Sequence, residues 1–168
     1  MMLNNSHPEI ITTVEYEDNE RLLYVCFMLE YIQRNSGNTK NEIINLIGIE
    51  GLKLIYNDFD CYHVQNNEQS FHQIAVEIFN LPKGDYSVES FKSKGRNVPL
   101  IAWHSKTYYR LIMYIKHYNP SMKVLDIAKE VYSSWICDYL DDFMYDYYWQ
   151  PANCIYYAWI RGDFDFDF

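Results

Sequence analysis

The chain has 168 residues, of which 49% are hydrophobic and 22% charged, and its formal charge is −9. This is a globular composition that excludes a largely disordered chain, and the length suffices for one domain or two small subdomains. The acidic balance excludes a general binder of phosphate backbones, which needs Lys and Arg gathered on a face, and makes a basic partner the easier one to attract.

The charge comes in blocks. Residues 1–80 carry a net −8, residues 81–123 a net +6 and residues 124–168 a net −7. Either the basic middle packs against its acidic neighbours, or it is the place where nucleic acid would bind. Met1 to Ile10 has neither a basic leader nor an apolar one. The longest apolar stretch, Ile43 to Ile55, is interrupted by Asn45, Gly48, Glu50, Gly51 and Lys53. Secretion and membrane spanning are therefore not expected. Cys26, Cys61, Cys137 and Cys154 are widely spaced with no CxxC pair, which reads as reduced thiols in a cytoplasmic protein.

In chain order, weak alternation over Ile10 to Tyr16 predicts a short strand, and the apolar spacing from Leu22 to Ile32, with Glu30 among it, predicts a helix ended by Asn35 to Asn38. Thr39 with Glu42 forms a capping box opening a second helix, and a third runs from Gly51 to Asn57. Ser70 with Gln73 is a second capping box ahead of Ile74 to Phe79. Pro82, Gly84 and Asp85 make a turn where the charge changes sign, which divides the chain into a helical unit at 1–81 and another at 82–168. Phe91 to Asn97 reads as a basic loop and Trp103 to Tyr118 as a helix.

After Asn119 and Pro120, Ser121 caps a predicted long helix that runs from Met122 into the tract Tyr132 to Phe168, where fourteen of thirty-seven residues are aromatic and seven are Asp. On that helix Trp135, Tyr139, Phe143 and Tyr147 form one stripe at i+4 spacing, and Asp138, Asp142 and Asp146 form another. Pro151 starts a last helix, Ala152 to Arg161, with Gly162 as its stop. The alternating Asp163 to Phe168 reads as a strand. The fold class expected is mainly α, as two small helical subdomains with short strands at the N-terminus and the C-terminal tail.

For function the aromatic tract suggests binding. Trp135, Tyr139 and Phe143 are assigned mainly to the core, and the aromatics in excess of what a helical hairpin can hide become interface anchors. The reading is an acidic inhibitor or antitoxin-like protein that occludes a basic surface of a partner, such as a toxin or a nucleic-acid-binding enzyme. Asp138, Asp142 and Asp146 steer and pair, while Tyr145, Tyr148, Trp149 and Tyr156 anchor. A homodimer contact would use the same aromatics.

Two alternatives stand beside it. A nucleic-acid adaptor would use Lys92, Lys94, Arg96, Lys106 and Arg110, with Trp103 and Tyr108 for stacking. A small enzyme acting on a nucleotide would need polar groups converging around His63, His72 or His104. No phosphate loop, GxGxxG or GxSxG is present, so no catalytic residue is assigned and enzyme activity is not expected. Cys61, His63 and His72 match no common zinc spacing, so neither a metal nor a cofactor is expected. A helix-turn-helix reading of Thr39 to Asn57 fails because its second helix offers just Lys53 and Asn57 beside Asp58 and Asp60.

The run from Leu23 to Ile78 resembles a small bacterial family of helical domains found beside ADP-ribosyltransferase-like toxins. Tyr56 and Tyr62-His63-Val64 stand where its members carry a Tyr followed by a Leu-His-Thr type motif. The resemblance implies an antitoxin or accessory role and carries over no catalytic residue.

Overall fold

The computed structural model describes residues 19–57, 59–62 and 65–165. Within them the protein is helical and contains no strand. The expected strand at Ile10 to Tyr16 lies outside the described residues. Of the C-terminal alternation, Asp163 to Asp165 is not a strand: Phe164 turns inward against Trp135, Tyr139 and Tyr147.

Helix α1 (Glu20–Ser36) starts on Asn19, whose side chain accepts from Leu22 N, and ends at Gly37 in the left-handed conformation. Helix α2 (Lys40–Asn57) opens with the predicted capping box. Thr39 N donates to Glu42 Oε2 at 3.1 Å and Glu42 N to Thr39 Oγ1 at 3.2 Å. The helix breaks stride once, at Gly48, so the predicted third helix is its second half. Then come α3 (Phe59–Tyr62) and α4 (Asn67–Phe71). The Ser70 capping box does not form, because Asn66 caps α4 through its bond from Gln69 N and leaves Ser70 inside the helix. A π-helix (His72–Ile78) continues directly from α4.

Beyond the Pro82 turn come α5 (Val88–Ser93), which absorbs Phe91, Lys92 and Ser93 of the predicted basic loop, and α6 (Ile101–Tyr118). Helix α7 (Val124–Tyr132) begins after Lys123 rather than at Met122 with Ser121 as its cap, and it stops well short of the predicted long helix. Ser134 supplies the reason: its hydroxyl donates to Val131 O at 2.6 Å, a local bond that competes with the helical ladder. Helix α8 (Ile136–Leu140) follows as a single short piece. A 3₁₀ turn (Tyr147–Trp149) and α9 (Ala152–Arg161) complete the chain, with Gly162 as the predicted left-handed stop.

Helix α1 packs on α6 and α2, α2 on α7, and α6 on α7 and α9. One apolar cluster joins them and includes Leu22, Met28 and Ile32 of α1, Ile112 of α6 and Ile127 of α7. The turn at Pro82 is on the surface, and contacts cross it from both sides. Backbones meet closely there: Gly84 N donates to Ser36 O at 2.8 Å and Tyr86 N to Gly37 O at 2.7 Å. Among the described residues no helix is long and apolar enough to cross a membrane.

Candidate functional site

The most unusual feature of the interior is a set of buried ionisable groups. Lys40, the first residue of α2, is buried, and Glu30 and Gln33 of α1 and Asp141 after α8 are buried around it. Lys40 Nζ donates to Glu30 Oε2, to Gln33 Oε1 and, at 2.9 and 3.0 Å, to both oxygens of Asp141. Gln33 Nε2 donates to Asp141 Oδ2 at 3.1 Å, and the Tyr108 hydroxyl to Asp141 Oδ1 at 2.7 Å. His104 Nε2 lies 2.8 Å from the same Oδ1. Arg34 closes the outer side, donating to Glu30 Oε1 at 2.9 Å and to Pro99 O at 2.7 Å. Two carboxylates thus face two cations, the pairing a dry site requires.

The electrostatics follow from burial and neighbours. Burial pushes the Asp141 carboxyl up, but the Lys40 charge and the hydrogen bond from His104 outweigh it and hold Asp141 well below the usual carboxylate range. Glu30 is held low in the same way, burial being outweighed chiefly by the Lys40 charge. Burial alone would depress Lys40; Asp141 and Glu30 reverse this and raise it. Glu30, His104 and Asp141 are also the one group among the described residues whose donor atoms could hold a metal. Lys40 already bonds both carboxylates, so its ammonium supplies the positive charge there.

His104 connects this network to a cavity of about 530 Å³, within the range of small-ligand sites. It is lined by Trp103, His104, Thr107 and Arg110 of α6, by Tyr148, Trp149 and the start of α9, and by Asn97 to Leu100. Trp103 and Trp149 are 66% and 64% exposed, whereas His104 is buried. Edge-on contacts from Tyr108, Phe143 and Tyr148 fix its ring. Its Nδ1 has no hydrogen-bond partner. Helix α9 starts on Pro151 without any side-chain cap, so its first-turn N–H groups give this end of the cavity a partial positive charge. A smaller cavity of about 170 Å³ lies on the other side of the network, against Lys40 and Asp141.

The structure redistributes the residues expected to act. The carboxylate row does not exist as a helical stripe: Asp138 is exposed on α8, Asp142 accepts from Met144 N in a turn, and Asp146 lies 3.4 Å from Arg96. Splitting the three Asp among separate pieces relieves the repulsion they would suffer at i, i+4. Tyr145 and Trp149 are exposed, but Tyr148 and Tyr156 are buried at 8% and 5%. Tyr148 donates to Asn97 O, and Tyr156 stacks on Tyr118. Phe143 is in the core as expected, while Tyr139 is partly exposed.

In the basic segment, Lys92 pairs with Glu89, Lys94 and Lys106 are exposed, and Arg96 is held by Phe143 O and Asp146. Tyr108 cannot stack on a base, because it is fully buried against Asp141. His72 lines a separate cavity and faces Glu77, apart from His104; His63 lies outside the described residues. Trp103 and Arg110, assigned to one surface, and Trp149, assigned to another, share a single cavity. Sequence reasoning missed Lys40, Gln33 and Asp141. The available signal was Glu30, a charged residue in phase with the apolar face of α1.

Comparison with family models, curated proteins and solved structures finds no match for the chain.

Proposed function

We propose that the protein is a binding protein whose cavity takes a nucleotide, meaning a planar base joined to a phosphate, either free or as the end of a single strand. The observation that carries this reading is the pair Trp103 and Trp149, two exposed indoles from separate elements on one cavity. Aromatic faces of this kind stack on a base of any sequence. Arg110 and the uncapped start of α9 offer positive charge for a phosphate. The net charge of −9 opposes a long phosphate track but not a single nucleotide.

Tryptophan fluorescence titrated with each of the four ribonucleoside 5′-monophosphates, and with a 5′-phosphorylated tetranucleotide, tests the reading. Saturable quenching is expected, and Trp103→Ala or Trp149→Ala should each weaken binding by about 1–3 kcal/mol. Response to the tetranucleotide alone would assign the strand end as the source. No response to any of the five would overturn the reading.

A second reading retains occlusion of a basic partner, in the manner of an inhibitor or antitoxin. It is favoured by the exposed Tyr145, Trp149 and Asp138 on one short stretch. Its test is co-purification from the native host: Asp138→Asn should weaken retention of a basic protein at low salt, and unchanged retention would remove the electrostatic half of the idea.

A further inference from the structure

His104 is held as though one of its nitrogens were reserved. The ring is buried, Nε2 is fixed on Asp141 at 2.8 Å, and Nδ1 meets no donor or acceptor, although His104 contributes to the wall of the 530 Å³ cavity. Asp141 is itself held by Lys40, Gln33 and Tyr108, so the contact has little freedom to rearrange. An ionised carboxylate offers only lone pairs, so Nε2 carries the hydrogen of the contact, and Nδ1 is an acceptor when the ring is neutral. The two ring nitrogens point away from one another, which directs Nδ1 away from Asp141. A buried acceptor left unsatisfied costs free energy that an incoming donor recovers.

We propose that His104 Nδ1 is the recognition acceptor of the cavity, taking a hydrogen bond from an N–H on the edge of a nucleobase. The inference rests on the nucleotide reading and deepens it: stacking on Trp103 and Trp149 accepts any base, whereas a fixed acceptor demands a donor in the base plane. Tyr148 borders this contact. Its ring stands edge-on to His104 at 5.8 Å, it lines the cavity, and its hydroxyl is tied to Asn97 O by a 3.2 Å bond.

The test uses the full chain labelled with ¹⁵N-histidine, with each of the four ribonucleoside 5′-monophosphates added singly while tryptophan fluorescence is followed. His104 is identified by the slowly exchanging hydrogen on its Nε2. In the free protein its Nδ1 should give the signal of an unprotonated nitrogen, and on binding that signal should shift as a hydrogen bond forms. His104→Gln provides a second readout, since the Gln amide reaches the position of Nε2, keeps a donor on Asp141 and leaves no acceptor at Nδ1. Its affinity should fall about tenfold with helix content retained. Quenching with an unmoved Nδ1 signal would overturn the inference and leave the nucleotide reading standing; absence of quenching by all four, and by the 5′-phosphorylated tetranucleotide added in the same way, would overturn both. If His104→Gln fails to fold, the wild-type nitrogen titration decides alone.

Discussion

Lys40→Met is expected to destabilise the protein by about 3–5 kcal/mol, lowering the melting temperature by roughly 6–20 °C for a chain of this size. Methionine nearly matches the volume of lysine, so the loss is electrostatic. Glu30 and Asp141 are left as buried charges without the cation that Lys40 Nζ supplies to both, and Gln33 Oε1 loses its donor. The loss should depend on pH in a defined direction. In the wild type both carboxyls are held below their unfolded values, so their contribution is complete above an unfolded pKa of about 4 and is lost as pH falls through the folded values. In the variant, burial without Lys40 raises them, so acid relieves the strain. Thermal melts at pH 7 and near pH 4 should therefore show the gap between the two proteins narrowing on acidification. A gap under about 2 °C at pH 7, or one independent of pH, would mean that the buried network is not held together as described.

The second large effect is expected from a single methyl group. Gly84→Ala places a Cβ 2.2 Å from Gly37 O and 2.6 Å from Gly37 C, both backbone atoms. No rotamer change can relieve that contact, so the α1–α2 turn and the turn after Pro82 must separate. The bonds from Gly84 N to Ser36 O and from Tyr86 N to Gly37 O would strain with them. The expected cost is about 3 kcal/mol, the upper end of overpacking effects. Gly95→Ala is the control. Its φ of +75° carries the left-handed penalty, but nothing lies within 4 Å of the added carbon, so it should cost only about 1–2 kcal/mol. Urea melts of the two variants separate crossing from handedness, and equal losses would show that the crossing is not tight.

Where one local signal decided an element, the sequence predicted it. The Thr39–Glu42 box, the end of α1 within Asn35 to Asn38, the Gly162 stop and the periodicity of α6 all appear as expected. Where two local signals competed, the wrong one was chosen. Asn66 took the cap from Ser70, and the bond from Ser134 to Val131 O ended a helix whose apolar spacing continued. The candidate site was visible in its parts. Trp103, Arg110 and Trp149 were singled out, but the two indoles are 46 positions apart, and only the packing of α6 on α9 brings them to one cavity. The ionic network was less legible, because a buried Lys and an exposed one are spelled alike. Lys40 is buried because α1, α2 and α8 meet where its ammonium ends, a coincidence of tertiary structure that no spacing along one element records.

For a nucleotide bound as proposed, the rigidity of the His104 environment would divide the entropy of binding unevenly around the cavity. A ring enclosed by Tyr108, Phe143 and Tyr148 and fixed to Asp141 has given up its rotamer freedom during folding, and a ligand that meets it orders nothing further. Trp103 and Trp149 still hold theirs at the exposed rim. Tightness of binding then depends on how much motion the rim surrenders, and discrimination on the wall that has none left to lose.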